Sequence, residues 1–223
     1  LTAISPQAPA TQATDVSTQA PQSTEPSATE PPTTVPETPP TSSPQVLYQD
    51  DFSDPITKWH SFSEKVFEVH AGDGQLVVQA ITPDKDVIAR PGMDFTDALI
   101  EVDVTRMNLS GGNRFGLICR AVDDKDYYYF AVSLDGSYVI GRRQVGNYKA
   151  LASGDFKGVK PGNALNQLAV ECTGSTLTFT INGEQAASAT DTTFAHGDAG
   201  VIVISANTPN VEAAFDNFFV YPP

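Results

Sequence analysis

The chain has 223 residues and a formal net charge of −14 at pH 7. Phosphate binding needs Lys and Arg to release counterions, so nucleic acid is not expected as a partner, and an anionic membrane surface is equally disfavoured. No apolar run approaches the roughly 20 residues of a membrane helix, so no membrane insertion is expected.

Composition divides the chain near residue 46. Ten of the 17 prolines lie in residues 1–45, and none of the 16 glycines does. Thr and Ser fill most gaps between Pro26, Pro31, Pro32, Pro36, Pro39, Pro40 and Pro44. Apolar residues are too sparse there to build a core, and proline biases the backbone to extended polyproline II. Residues 1–46 are therefore expected to form an extended, non-globular tail. At ~3.1 Å per residue such a tail reaches on the order of 100 Å. It is either a plain linker or an O-glycosylated stalk, with Thr24, Thr29, Thr33, Thr34, Thr38 and Thr41 as the candidate acceptors. No signal peptide is visible, and a start at Leu1 rather than Met reads as a processed product.

Residues 47–223 carry the strand signals. The segment Ala98–Val104 alternates apolar and polar residues with period two, as does Leu177–Ile181. Further β-rich runs are Gln75–Ile81, Phe115–Val122, Tyr127–Leu134, Tyr138–Arg142, Leu168–Cys172, Val201–Ser205 and Val211–Tyr221. Asp135-Gly136 and Asn182-Gly183 each predict a hairpin closed by a tight two-residue turn, because both dipeptides tolerate positive φ. No segment shows helical periodicity. The expected fold is all-β, an antiparallel sandwich or jelly roll.

Cys119 and Cys172 are the only cysteines, and each sits in a predicted strand. They read best as one structural disulfide, with two separate buried thiols as the alternative. Neither has a nearby Cys or His at metal-ligand spacing. The histidines His60, His70 and His196 accompany no Gly-x-Ser-x-Gly elbow and no evident Cys nucleophile. Asn108-Leu109-Ser110 is an N-glycosylation sequon.

Tyr127-Tyr128-Tyr129-Phe130 places two aromatics on each face of a sheet. One pair is expected in the core. The other, Tyr127 with Tyr129, is expected to line an open face with Trp59, Arg120, Tyr138 and Arg142. Aromatic rings suit the apolar faces of sugars, while hydroxyls and guanidinium groups supply hydrogen bonds. Ordinary packing and cross-strand pairing is the alternative.

The ordered set Asp50-Asp51-Phe52-Ser53-Asp54, Trp59, Phe115–Arg120, Tyr127–Phe130, Asp135–Tyr138, Asn182-Gly183 and Phe215–Phe218 resembles the laminin-G-like, concanavalin-like jelly-roll domain of bacterial surface proteins that follows a Ser/Thr/Pro linker. The resemblance runs over almost all of residues 47–223. It implies two packed antiparallel sheets with one concave face, in a superfamily of binding modules, structural domains and glycosidases. Glycosidases of that fold carry Glu-x-Asp-x-(x)-Glu on one strand. Here Glu101 and Asp103 begin the pattern, but Thr105 and Arg106 follow and the second Glu is missing. The resemblance also raises a calcium site in which Asp51, Asp54 and Asp216 converge, although no cofactor is required. The expectation is a secreted or cell-surface protein without enzymatic activity, structural or adhesive, whose partners are other copies of itself or surface components. The alternative is a carbohydrate-binding module whose partners are glycans, and a glycoside hydrolase is the less favoured third reading.

Overall fold

The computed structural model describes residues 45–54, 59, 62–63, 65–108 and 112–223. The stalk up to residue 44 and its six candidate threonines lie outside the described residues, as do His60 and the Leu109 and Ser110 of the sequon. In chain order the strands are β1 Tyr48–Asp50, β2 Phe62–Ser63, β3 Phe67–Gly72, β4 Gln75–Ala80 and β5 Lys85–Ala89. Next come β6 Ala98–Asn108, β7 Arg114–Ala121, β8 Tyr127–Val132, β9 Ser137–Gln144 and β10 Asn147–Asp155. The chain closes with β11 Asn166–Thr173, β12 Thr176–Ile181, β13 Glu184–Thr190, β14 Asp198–Ser205 and β15 Val211–Tyr221. The described residues contain no helix.

Two antiparallel sheets form a sandwich. One has nine strands in the order β13-β12-β11-β6-β15-β4-β3-β2, with β1 also on β15. The other has six, in the order β10-β9-β8-β7-β14-β5. Period-two alternation puts Ile100, Val102, Val104, Leu168, Val170, Phe179 and Phe215 of the first sheet against Phe115, Leu117, Tyr128, Phe130, Ile140, Val201 and Val203 of the second. All of these are buried, and together they form the main core.

The two sheets are also tied covalently. Cys119 on β7 and Cys172 on β11 form the disulfide, 53 positions apart. Closing a loop of that length is worth roughly 4 kcal/mol in the chain-entropy account. Arg120, next along β7, has a positive φ of 49°. That backbone turn carries its guanidinium between the sheets, where it is 3% exposed. There it donates to the carbonyls of Thr96 (2.8 Å), Gly174 (2.8 Å), Phe194 (3.1 Å) and Cys172 (3.3 Å), and to Asp97 Oδ1 (2.8 Å).

The two predicted hairpins turn out differently. Asn182 and Gly183 have φ of 52° and 81°, and Ile181 pairs with Glu184, so this is the expected two-residue loop. At the other hairpin Val132 pairs with Tyr138 and Ser133 bonds Ser137, so the loop is three residues, Leu134 to Gly136. Asp135 Oδ1 accepts from the Ser137 amide (2.9 Å), and Gly136 alone of the three takes positive φ, 92°. A type I turn followed by a left-handed glycine is the common three-residue solution. The extra loop residue reverses which side chains of β9 share a face with β8.

Candidate functional site

The six-stranded sheet is buried on both faces along its middle. Every residue of β8 is buried. Tyr128 and Phe130 point into the main core, as expected of one aromatic pair. Tyr127 and Tyr129 occupy the outer face, where they pack with Ile118, Ala131 and Ile202 in a second, smaller cluster.

That cluster is flanked at one side by β9 and β10, which continue the same sheet. Tyr129 pairs with Gly141 and Tyr127 with Arg143 across β8 and β9, and Arg143 in turn pairs with Tyr148 on β10. The Tyr129 ring lies over Gly141, where an added Cβ would come within 2.3 Å of it. Tyr148 meets Tyr129 edge to face at 5.7 Å. The Arg143 guanidinium sits 5.2 Å from the Tyr148 ring centre and 5.7 Å from that of Tyr127. It also donates to Asp86 Oδ2 at 2.8 Å. Tyr127 donates its hydroxyl proton to the same Asp86 oxygen at 2.5 Å.

Beside these rings lies a cleft of about 450 Å³. Its walls include Tyr129, Tyr138, Tyr148, Arg114, Asp84, Lys85, Asp86 and Ser153. Tyr148 is 50% exposed and is the ring that this face offers to solvent, whereas Tyr129 is only 6% exposed. Burial pushes the Tyr127 and Tyr148 phenols well above their ordinary range, and the Asp86 carboxylate pushes them further. Both therefore stay neutral and can donate hydrogen bonds. Burial opposes the Arg143 charge, but Tyr127 and Asp86 outweigh it.

Several expected site residues do not belong here. Trp59 is 2% exposed and packs edge to face on Phe52 (5.3 Å) and Phe218 (4.9 Å), with Nε1 donating to Asp50 (3.1 Å). It is a core residue. Arg120 is consumed in joining the sheets. Tyr127 is on the expected face but fully buried beneath its neighbours. Arg142 points to the opposite side of β9 from Arg143, pairing with Asp191 at 2.9 Å. Tyr138 lies on that side too, half-buried against the main core, and it borders the cleft. The two-residue loop expected at Asp135-Gly136 would have put Arg142 with Tyr129. The three-residue loop puts Arg143 on that face instead.

The calcium expectation also changes. Asp51 Oδ1 accepts from Ser53 N (3.0 Å) and Ser53 Oγ (2.7 Å). Asp216 is raised chiefly by burial, with Asp103 and Asp51 adding repulsion, so Asp51 and Asp216 do approach each other. Among the described residues, however, no group of three His, Cys, Asp or Glu side chains is placed to hold a metal ion. Glu101 and Asp103 lie on the outer face of the nine-stranded sheet, where Asp103 accepts from Asn217 Nδ2 at 3.1 Å. His196 pairs with Asp94 at 2.8 Å on the surface, and His70 lies 3.7 Å from Glu68.

No protein-family model matches the chain. No curated protein matches it in sequence. Solved structures do match in shape. The carbohydrate-binding module CBM66 from Bacillus subtilis aligns with a TM-score of 0.52 at 17% identity, over 74% of this chain and 96% of that one. A Bacillus subtilis protein of unknown function with a galectin-like fold gives 0.61 at 12% identity, over 79% and 96%. The catalytic domain of an endo-1,3-β-glucanase (laminarinase) from Thermotoga petrophila gives 0.56 at 9% identity, over 80% and 98%. At such identities the likeness is one of fold, and that fold is the jelly-roll, galectin-like β-sandwich.

Proposed function

We propose that the chain is a non-catalytic carbohydrate-binding β-sandwich that works outside the cell, with the cleft beside Tyr148 as its binding surface. The observation that carries this reading is a half-exposed ring, Tyr148, held at a fixed angle by Tyr129 and Arg143 and flanked by polar groups of a cleft. A sugar ring needs such a combination of an apolar face and directed donors. The fold shared with a carbohydrate-binding module and with glycoside hydrolases fits the same reading. A structural or adhesive role rests mainly on the stalk, so the cleft gives the sugar reading the stronger footing.

Two features support binding without hydrolysis. Glu101 and Asp103 are followed on their strand by Thr105 and Arg106 rather than a further acid. In the cleft, Asp86 is already engaged by Tyr127 and Arg143. The disulfide supports an oxidising, extracellular setting.

A glycan array probed with the whole chain and with Tyr148→Ala tests the proposal. Binding to a defined glycan class that falls about fivefold or more in the variant is the expected outcome, since stacking on an aromatic ring is worth of order 1 kcal/mol. An array with no hits, or hits that Tyr148→Ala leaves unchanged, removes the cleft as a sugar site.

A further inference from the structure

Five arginines have described side chains, and four of them are held by carboxylates. Arg90 meets Asp124 (2.9 Å) and Asp198 (3.6 Å), Arg120 meets Asp97 (2.8 Å), Arg142 meets Asp191 (2.9 Å) and Arg143 meets Asp86 (2.8 Å). Arg114 is the exception among the described residues. Its one hydrogen bond is a long contact of Nη2 with Ser137 Oγ, 3.4 Å, and its Nε, like those of Arg142 and Arg143, is buried with no partner. This matters in a chain with 27 acidic residues and 13 basic ones, because pairing with a carboxylate is the ordinary fate of an arginine here.

Arg114 begins β7 on the same side as Gly116 and Ile118, the outer face, and it lines the cleft with Tyr129, Tyr138 and Tyr148. Lys85 lines it as well. Of the two acids in the wall, Asp86 is neutralised by Arg143, while Asp84 is exposed at the rim. The cleft therefore combines one stacking ring with a guanidinium that forms no direct ion pair, with Asp135 near enough to feel its charge. Guanidinium groups favour planar oxyanions, which they grip through two parallel N–H bonds.

We propose that the cleft selects an acidic sugar, one bearing a ring carboxylate, with the carboxylate on the Nη groups of Arg114 and the sugar face against Tyr148. This rests on the sugar-binding reading and adds the ligand's charge to it. Asp84 sets a limit on the preference, since it would repel the same carboxylate.

The test is calorimetric titration of the whole chain with three probes: oligogalacturonate, its carboxyl-reduced neutral counterpart, and a sulfated galactose oligosaccharide of the same length. The acidic probe should bind at least about tenfold tighter than the neutral one, the range of a charge-assisted hydrogen bond. Arg114→Gln should erase that preference while keeping the weak neutral binding, and Asp84→Asn should enlarge it. Raising salt should weaken the acidic probe only. Equal affinity for acidic and neutral probes overturns the acidic assignment and leaves the sugar reading standing. A preference for the sulfated probe alone overturns the carboxylate. No binding of any probe overturns the acidic assignment, and if the array is also empty the sugar reading falls with it. Thermal melts of Arg114→Gln check that any loss is not unfolding, and Arg114→Lys, which keeps the charge but loses the fork, should recover only part of the preference.

Discussion

The outer faces of the two sheets follow different rules. On the nine-stranded sheet β11 and β12 alternate strictly, with Gln167, Glu171, Thr176, Thr178 and Thr180 turned outward and at least partly exposed. Such a face is solvated, and its polar row is what an amphipathic strand needs to remain soluble. On the six-stranded sheet β8 has no exposed position, and β14 is buried except at Ile204. Its outer face carries a layer of tyrosines, isoleucines and an arginine–aspartate pair that does nothing to close the main core. The middle of this sheet is buried on both sides, and the cleft beside Tyr148 lies on its outer face.

The sharpest break between structure and site should come from the ties between sheets. Arg120→Ala removes five hydrogen bonds in the interior and strands the carbonyls that accepted them. Urea denaturation should show a loss of about 3–5 kcal/mol. Replacing Cys119 and Cys172 together with Ala should cost about 4 kcal/mol. Below the melting point both proteins should bind glycans like the parent, because neither change touches the cleft. If binding is lost in step with stability, the two regions are not separable.

A smaller effect should appear on the outer face itself. Gly141→Val forces a side chain into the space of the Tyr129 ring. The expected cost is about 1–3 kcal/mol, as for other overpacked sites. Unlike the changes between the sheets, it should also weaken glycan binding, since Tyr129 props Tyr148. Thr178→Val on the opposite sheet, half-buried, is the control and should change binding not at all.

How much of this could be read from the residues depends on the turns. The sandwich was legible because β6, β11 and β12 alternate over long stretches and leave their apolar sets one possible side. The run Tyr127–Phe130 correctly divided two rings to each face. Its neighbours were misassigned because Asp-Gly suits both two-residue and three-residue loops, and one residue inverts the next strand. Arg143 was missed for that reason alone. Tyr148 was missed for another. Strand β10 is mostly exposed and poor in β-branched residues, and the turn before it uses Val145 at a φ of 51°, a conformation β-branched residues rarely accept. That turn is held from outside, by Asp126 accepting from the Val145 amide and by the Lys125 carbonyl accepting from Gly146. No local pattern announces it. Trp59 and Arg120 look like site residues in a sequence because both types are common in binding sites; only burial shows that they lie in the interior, whereas Tyr148 and Arg114 border the cleft.

The smallest expected effect is one of pH, and it lies on the inner side of the β8–β9 pair. Asp191 is partly buried, which by itself would raise its pKa. Hydrogen bonds from Thr193, Tyr128 and Arg142 outweigh that and hold it at about 2. The ordinary aspartate value in an unfolded chain is about 3.9. A carboxylate depressed on folding stabilises the protein fully above its unfolded pKa, and the contribution fades as pH falls through the folded one. Stability supplied by Asp191 should therefore be complete above about pH 4 and lost on descending to about pH 2. Asp198 acts in the opposite sense, because its burial raises it despite bonds from Met93, Gly92 and Ala199. The comparison that isolates Asp191 is the melting temperature of the parent against Asp191→Asn from pH 6 to pH 2. The parent should lead at pH 6 and the gap should narrow below pH 4. A gap independent of pH would mean that Asp191 holds Tyr128 and Arg142 by shape rather than by charge.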